Sequence, residues 1–452
     1  MKTQLLHTAK GSVLLSAAMS AGVLAIMIAG VLTYLTDEYD ANFRTHRWNQ
    51  ALHLSEAAVE IGLAELNYQY TQGGSGFQSA RGWTSLGGGS YSKTVTNLPD
   101  AYGNAVGTLA VTASSIGGSN PTFQGVGTVT SGNFRGASIV RGVKVSVAGS
   151  SMFPVGLASK NTIDLNGNNA YTDSFDSSDP TKSTGGQYDV TKRQANGNVG
   201  TLSTLTNSVG VGNADVYGTV ATGPGGSVSI GPNGSVGSTF VSSDRATTDS
   251  GGISDGFIRN DFSATIPDPA LPSGAGSWTS AGNINNSATI TAGNYTASGI
   301  NLSGNNAVLT ISGNVTIYVT GNTSISGNNA QITILANSSL TVYSAGSISI
   351  AGNGIVNNDI YASKDVFYGL SSCTSVSIAG NGSFTGAIYA PEADMTISGN
   401  GNIYGALVGK SITLNGNANV HYDESLKNIT GSAGYLVQSW QELRYVSGAW
   451  VP

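Results

Sequence analysis

The second half of the chain repeats one short element, and this repetition restricts the possible folds more than any other feature of the sequence. Each copy has an aliphatic residue, a small or polar residue, then Gly-Asn, followed by Asn, Gly or Ala. The repeated pairs are Gly304 and Asn305, Gly327 and Asn328, Gly352 and Asn353, Gly380 and Asn381, Gly399 and Asn400, and Gly416 and Asn417. Their glycines are separated by 17 to 28 residues, a spacing typical of one coil of a solenoid protein.

Short strands between these pairs favour a mainly β fold, a right-handed parallel β-helix, over helical or leucine-rich repeats. The runs VLTI (308–311) and QITIL (331–335) alternate aliphatic residues with polar ones, as expected for strands with one buried face. Each Gly-Asn pair is expected to form a tight corner with left-handed backbone. Asparagines stacked at equivalent corners would form amide ladders along the solenoid axis.

An earlier copy, IDLNGNNA (163–170), indicates that the solenoid begins soon after Pro154. We therefore assign residues 151–426 to the β-helix. A loop-rich insertion near 173–276 is expected to hold irregular rungs around 215–240 and a connector with prolines at 267, 269 and 272. Residues 427–452 are assigned to a C-terminal cap or tail. Its aromatic side chains either fold over the open last rung or form an aromatic docking patch.

The N-terminal region contains a run of 24 uncharged residues, 12–35, long enough to cross a bilayer as a helix. Lys10 precedes this run and Asp37 follows it, so the positive-inside tendency places the N-terminus in the cytoplasm and the bulk outside. The run is too long for the apolar core of a cleaved secretory signal. An apolar stripe at helical spacing continues to about residue 70, which predicts one helix over 12–72 that ends at Gly73 and Gly74.

A short basic leader ending in Lys10 and Gly11, the apolar helix that follows at once, and the later SEAAVE stretch (55–60) resemble type IV pilins, particularly minor pilins and pseudopilins. This resemblance implies a leader over 1–11, which a prepilin peptidase removes after Gly11 to free Ser12. A plain uncleaved anchor is the alternative. Most major pilins carry a glutamate at the fifth mature position, where this chain has Ser16. Without that carboxylate the usual ion pair between subunits is lost, which favours a minor or tip subunit over a shaft-forming one.

Residues 73–150 contain three alternating β-branched runs, 106–112, 126–130 and 139–147. They predict a small antiparallel sheet covered by the helix, an arrangement similar to that of pilins; an unrelated α+β domain is the alternative. Residues 154–426, and most clearly GAIYAPEAD (386–394) and VHYDESL (420–426), resemble a poorly characterised domain found on pilus-assembly-like N-termini in bacteria. That resemblance implies a fold and a location, but no chemistry.

Composition and spacing argue against an active site. A formal net charge of -6, with 19 Lys and Arg spread thinly, excludes a phosphate-binding stripe and hence nucleic acid as a partner. The single Cys373 offers neither a disulfide nor a metal site. Polysaccharide cleavage on a β-helix would require clustered carboxylates; Asp359 and Asp365 are the candidates, without an accompanying histidine motif. His421 and the acids beside it are expected to close the solenoid as a polar cap. No catalytic, cofactor-binding or metal residue is predicted.

These observations predict a non-enzymatic envelope protein that crosses the bacterial inner membrane once. Its C-terminal domain is expected in the periplasm or, after assembly, at the cell surface or a pilus tip. The expected partners are the inner membrane, prepilin peptidase, pilus or type II secretion assembly proteins, other pilins and surface polysaccharide, in a role of adhesion or assembly. The alternative, by fold analogy alone, is a membrane-tethered carbohydrate-binding or carbohydrate-active β-helix protein.

Overall fold

The computed structural model describes residues 9–72, 76–99, 105–118, 120–130, 138–167, 170–238, 252–351, 353–380 and 382–451. The chain forms two compact units: the first contains Met1–Ala148 and Tyr435–Pro452, and the second contains Gly149–Gly434. A long N-terminal apolar helix and a mainly β remainder are present, as predicted. Most of the leader (1–8) and the corner residues Gly352 and Asn381 lie outside the described residues.

The first unit begins with one helix of 64 residues, α1 (Ala9–Gln72), which includes the backbone of Lys10, Gly11 and Ser12. Its most apolar 18-residue window has a mean hydropathy of 2.2 and no buried residue, so length and composition allow this helix to span a membrane. Large apolar side chains from Val13 to Leu35 are exposed. The second half of the helix, in contrast, is covered by protein: Ala51, Ser55 and Ala58 are fully buried.

A seven-stranded sheet packs on this second half of the helix. In chain order its first strands are β1 (Thr84–Gly87), β2 (Ser90–Pro99), β3 (Ala105–Ser114), β4 (Thr122–Val129) and β5 (Ile139–Ser151). These strands pair antiparallel, each with the next, as the sequence predicted. The helix approaches β4 at two glycines: a Cβ on Gly125 would lie 2.1 Å from the carbonyl oxygen of Ser55, and one on Gly127 would lie 2.1 Å from that of Ala51. Side chains at these glycines would therefore separate the helix from the sheet.

Within its described residues, the second unit contains strands of 2 to 16 residues and three 3₁₀ helices. The strands are β6 (Leu157–Ser159), β7 (Ile163–Leu165), β8 (Tyr171–Phe175), β9 (Val199–Thr201), β10 (Val209–Gly212), β11 (Asp215–Tyr217), β12 (Val220–Ala221), β13 (Val228–Ile230), β14 (Ser235–Gly237), β15 (Ile258–Arg259), β16 (Thr279–Ile284), β17 (Ala288–Leu302), β18 (Val308–Val319), β19 (Thr323–Ile325), β20 (Gln331–Ile334), β21 (Ser339–Ser344), β22 (Ile348–Ile350), β23 (Ile355–Asn357), β24 (Asp365–Gly369), β25 (Ser375–Gly380), β26 (Phe384–Gly399), β27 (Ile403–Leu414) and β28 (Val420–Asp423). The 3₁₀ helices are Ala275–Ser277, Ala362–Lys364 and Glu424–Asn428.

The last residues of the chain, for which the sequence predicted a cap or tail (427–452), form two strands. They are β29 (Thr430–Val446) and β30 (Ala449–Val451), and the sheet order places β29 beside β5 in the seven-stranded sheet. Leu443 is only 2% exposed, and Arg141 of β5 forms an ion pair with Glu442. The physical reason is that β5 would otherwise be an edge strand with unpaired backbone groups, which the returning chain satisfies.

The strands of the second unit form one 23-stranded sheet in which all the registered pairs are parallel. Each strand pairs with the equivalent strand of the next repeat, and the alternation is the predicted one: Leu309, Ile311, Ile332 and Ile334 are fully buried. The aliphatic residue of each Gly-Asn element falls in a single column, which runs Leu302, Ile325, Ile350, Ile378, Ile397, Leu414 and Leu165. The repeats are therefore stacked in register.

The stacking order is not the chain order. From β16 the strands ascend to β27, and Ile412 and Leu414 of β27 then pair with Ile163 and Leu165 of β7, which come much earlier in the chain. From there the strands continue to β15 at the other end of the stack. The second unit consequently begins and ends in the middle of its own stack, where the backbone N–H of Met152 donates to the carbonyl of Ile429 at 2.9 Å.

The segment between β15 and β16 contains the three prolines of the predicted connector and returns the chain from one end of the stack to the other. About 20 residues at roughly 3.3 Å each are long enough for this path, and prolines favour an extended backbone. The connector is fixed along its length: Tyr389 donates its hydroxyl to the carbonyl of Pro267 at 2.7 Å, Ile266 is buried, and the Lys160 ammonium lies 3.5 Å from Asp268.

The repeated glycines serve close packing between coils more than the predicted left-handed corners. A Cβ on Gly327 would lie 2.2 Å from the carbonyl oxygen of Gly304, one on Gly416 would lie 2.0 Å from that of Gly399, and one on Gly167 would lie 2.1 Å from that of Gly416. At the two Gly-Asn-Asn corners of the ascending strands, the left-handed residue is the second asparagine: Asn306 and Asn329 have φ of 59° and 54°.

Left-handed backbone does occur at other predicted corner glycines, and the asparagines stack as expected. Gly380 and Gly399 have φ of 100° and 120°. The Nδ2 of Asn329 donates to Oδ1 of Asn306 at 3.2 Å, and the Nδ2 of Asn417 is 3.5 Å from Oδ1 of Asn400. The ladder therefore uses Asn306 and Asn329 in place of Asn305 and Asn328.

We expect Gly416→Ala to lower the free energy of unfolding of the second unit by about 1–3 kcal/mol, because the added methyl group meets a backbone carbonyl that cannot move aside. Gly276→Ala is the matched control, since a Cβ there has no atom within 4 Å, and its effect should stay within about 0.5 kcal/mol. Guanidinium unfolding followed by circular dichroism measures both. Equal stability of the two variants would show that the glycine column does not limit the stacking.

Leu443→Ala should destabilise the first unit by roughly 2–5 kcal/mol through loss of a buried side chain. Hydrogen exchange measured by mass spectrometry should become faster in peptides from β3, β4 and β5, and remain unchanged in peptides from β26 and β27. Leu436→Ala is the control, because Leu436 is 47% exposed. Faster exchange confined to β26 and β27 would instead identify the C-terminal residues as a cap of the second unit.

Candidate functional site

One outward-facing column of the second unit crosses the join between its two parts. Thr385 of β26 pairs with Tyr404 of β27, Tyr404 with His421 of β28, and His421 with Asp173 of β8. Their chain neighbours point into the core, so these side chains lie on the outer face of the sheet. The column therefore combines residues that are far apart in the sequence.

Asp173 and His421 form the buried centre of this column. The Nδ1 of His421 lies 2.6 Å from Oδ1 of Asp173, and both side chains are at most 1% exposed. The His421 ring stacks on Tyr404 with centroids 4.9 Å apart and planes at 17°. Tyr188, from the loop after β8, covers His421 at 3.9 Å and donates its hydroxyl to Oδ2 of Asp173 at 2.6 Å.

The buried Asp173 carboxylate of this cluster is compensated by a protonated phenol and by a guanidinium group. Burial, together with the neighbouring Asp173 carboxylate, raises the pKa of Tyr188 far above its ordinary range, so the phenol keeps its proton and donates. The Arg193 guanidinium lies 3.9 Å from Asp173 and over the ring of Tyr217 at 5.1 Å. Burial alone would lower the pKa of Arg193, but Tyr188 and Asp173 raise it. Arg193 therefore balances the buried carboxylate.

The loop that carries Tyr188 is held by short side-chain turns. Oδ1 of Asp189 accepts hydrogen bonds from the backbone and the hydroxyl of Thr191 at 2.9 and 2.7 Å. The hydrogen bond from the Thr184 hydroxyl, followed by these two from Thr191, lowers the pKa of Asp189 to about 2. The Lys192 ammonium donates to the carbonyl of Ser183 at 2.7 Å. The basic pair at residues 192 and 193 thus has a structural role in fixing the loop.

The acidic residues after His421 are also built into the fold, and the prediction that they cap the solenoid is wrong. β28 pairs with β27 on one side and with β8 on the other, so it is inside the stack. Burial opposes ionisation of Glu424, but hydrogen bonds from Asn196 and Ser174 lower its pKa. For Asp423, burial is the larger effect and raises the pKa. The sequence pattern could not show that an earlier segment stacks beyond β28.

Beside this cluster lies a cavity of about 250 Å³. Tyr404, Tyr188 and Phe175 give it aromatic walls. Its remaining wall contains polar and aliphatic side chains, namely Gln187, Asn357, Thr385 and Ile360. None of these side chains is charged. The Asp173 carboxylate is not part of the lining, because Tyr188 covers it.

One wall of the cavity has a strained backbone. Ile360 has φ of 68°, a left-handed conformation that is unfavourable for a β-branched residue. The Asn357 side chain holds this turn, since its Nδ2 donates to the carbonyl of Tyr361 at 3.0 Å and its Oδ1 accepts from the N–H of Asp359 at 3.0 Å. Such strain is concentrated at ligand sites in proteins.

The carboxylates considered for polysaccharide cleavage do not form a pair. Asp365 is 0% exposed, and its register partner is the fully buried Leu340, so it points into the core. Neither oxygen has a hydrogen-bond partner within the described part of the chain, and burial raises the pKa of Asp365 well above its ordinary value. Asp359 is partly exposed. Cys373 is a fully buried core residue.

The cavity was not predicted, and its signal in the sequence is weak. The corner residues from Gly304 to Asn417 do not line it, and among the described residues no group of His, Cys, Asp or Glu could hold a metal. The sequence placed His421 only in a predicted polar cap. The sequence feature that marks the site is an outward-facing tyrosine within a strand, such as Tyr404 next to the inward-facing Ile403.

We expect Asp365→Asn to stabilise the second unit by about 1–3 kcal/mol at pH 8. Ionising a buried carboxylic acid that has no hydrogen-bond partner carries a cost of this size, and the amide of Asn does not ionise. The folded pKa is raised, so the unfolded chain releases the proton first, above about pH 4. Wild-type stability relative to the variant therefore falls as pH rises from 4 towards the folded pKa. Guanidinium unfolding at pH 4 and pH 8 measures the difference. A difference independent of pH for Asp365→Asn would contradict the assignment.

Comparison with known proteins adds little chemistry. The sequence matches the model of a family described as a domain of unknown function (DUF7305) over residues 259–429, which run from the end of β15 to the 3₁₀ helix after β28. No curated protein matches the chain. Among solved structures, the chain is similar to the competence-associated pilin ComZ from Thermus thermophilus, with 12% identity over 87% of this chain and 97% of that chain. Its TM-score is 0.24, a value that does not indicate a shared fold.

Proposed function

We propose that this chain is a non-enzymatic, pilin-like envelope protein: a minor subunit whose helix anchors it in the bacterial inner membrane and whose second unit is displayed outside the cytoplasm. The leader 1–11 is removed after Gly11 by a prepilin peptidase. Assembly proteins of a type IV pilus or type II secretion system, and other pilins, are its partners.

The observation that carries this proposal is the division of α1 into two halves. The first half exposes apolar side chains along its whole length, as a helix in a bilayer or in a bundle of like helices does. The second half is buried against an antiparallel sheet through the small residues Ala51, Ser55 and Ala58 and the glycines of β4. The pilin resemblance implies this arrangement, in which a membrane helix continues into an exported α+β unit and packs against its sheet.

The second unit supports a display role. We propose that it is a parallel β-helix, since each strand pairs parallel with its equivalent one repeat away; parallel crossover connections are right-handed in nearly all proteins. In the chain it lies between β5 and β29, two strands of the seven-stranded sheet. A domain inserted in this way adds a binding surface and leaves the host sheet uninterrupted.

Ser16 supports a minor subunit over a shaft-forming one. Its hydroxyl donates to the carbonyl of Val13 at 3.0 Å, so it is satisfied within its own helix and provides no charge for a neighbouring subunit. The absence of a carboxylate pair at the cavity supports a binding function over catalysis.

Processing provides the test. In a host that has the prepilin peptidase, mass spectrometry should find Ser12 at the N-terminus of the wild-type chain, and Met1 when the peptidase gene is deleted. Gly11→Arg should abolish the cleavage almost completely, because the peptidase acts at that glycine. Gly22→Ala is the control, since Gly22 lies in the same helix with no atom near its Cβ position. An intact N-terminus in the wild-type chain would leave a plain membrane anchor and refute the pilin assignment.

A further inference from the structure

We propose that the cavity between Tyr188, Tyr404 and Ile360 binds one neutral pyranose ring of a saccharide. The proposal deepens the display function and depends on it only for the source of the ligand, a polysaccharide outside the cell. Binding itself depends on the second unit alone.

The size of the cavity selects a small ligand. At about 250 Å³ it lies just below the roughly 300–1,000 Å³ of pockets that hold drug-sized molecules. A single sugar ring with its hydroxyl groups fits this space, whereas an oligosaccharide would have to extend out of the opening. The expected mode is therefore recognition of one ring or of a chain end.

The walls of the cavity select a ligand with one flat apolar face and several hydroxyl groups. The electron-rich faces of aromatic rings attract weakly positive C–H groups, and pyranose rings present such groups on one side. Thr385 and Gln187 line the cavity with a hydroxyl group and an amide, which can donate hydrogen bonds to sugar hydroxyl groups and accept them. A purely apolar ligand would leave these polar groups without partners.

The charge of the cavity excludes acidic and basic ligands. Its lining side chains are uncharged, and the nearest buried ions, Asp173 and Arg193, lie behind Tyr188 and balance each other. A charged ligand would lose its hydration without gaining an opposite charge. Neutral sugars meet this requirement, and uronic acids do not.

The cavity is also preorganised. The loop that carries Tyr188 is fixed by the side chains of Asp189 and Lys192, and the turn at Ile360 is held by Asn357. A rigid site loses little conformational entropy when it binds. This compensates for the small number of contacts that a single sugar ring makes.

Saturation-transfer NMR on the full-length chain tests the proposal, in a detergent without a sugar head group. The probes are the methyl pyranosides of glucose, galactose, mannose and N-acetylglucosamine, with methyl glucuronide as the charged control and sorbitol as the acyclic control. At least one neutral pyranoside should bind, and glucuronide and sorbitol should not. Binding of none of the four pyranosides, or equal binding of sorbitol, would overturn the proposal whatever the outcome of processing at Gly11.

Variants locate the binding. Tyr404→Ala should weaken it by about tenfold or more, because it removes the aromatic face, while Tyr404→Phe keeps that face and should bind within a few fold of the wild type. Tyr343→Ala is the matched control, since Tyr343 also stacks on a ring one coil away, that of Tyr368 at 5.0 Å. If circular dichroism shows Tyr404→Ala to be misfolded, Thr385→Val replaces it as the test. This variant removes one hydroxyl group from the cavity and should also weaken binding. Undiminished binding by the folded variant would place the sugar elsewhere and refute the assignment.

Discussion

The pairing of β27 with β7 is the interaction on which the rest of the second unit depends. Ile412 and Leu414 align with Ile163 and Leu165, so two stretches from opposite ends of the unit form consecutive coils of one stack. The register is fixed by two requirements that must be met together. The aliphatic side chains must continue the inward column, and Gly167 must fit against the carbonyl of Gly416, where a Cβ would lie at 2.1 Å. A shift by one residue would turn the aliphatic side chains outward.

This join explains how a large unit is inserted into a small sheet. Because the chain enters the stack at its middle and leaves it one coil away, the two ends of the insertion are neighbours, as the hydrogen bond between Met152 and Ile429 shows. An ordinary solenoid would have its ends at opposite poles, and the strands before and after it could not then be adjacent in one sheet. The connector with its three prolines is the consequence, since the chain must return along the full stack.

The sequence was sufficient to predict the local structure and insufficient for the order of stacking. The alternation of buried and exposed residues in β18 and β20 follows from period-two patterning, which is a local property. The copy at 163–170 was identifiable from its residues, but nothing in it states which other copy it contacts. The same limit affected the C-terminal strands: their aromatic residues suggested a cap on the last rung or a docking patch, and nothing in the sequence pointed to the edge of β5. The repeated glycines were recognisable in the sequence, but their role was not. At each position a glycine can permit either a left-handed corner or the close approach of a neighbouring strand.

The cavity could not be predicted for the same reason, because its walls come from both sides of the join between β27 and β7. Asp173 and His421 are 248 positions apart in sequence, and their contact exists only where β8 stacks on β28. Tyr188 and Phe175 belong to the coils beyond the join, whereas Tyr404 and Asn357 belong to the coils before it. A ligand held between them contacts both segments, and a ligand that binds only the folded state stabilises that state. A saccharide bound as we propose would therefore stabilise the contact between β8 and β28, on which the inserted unit depends.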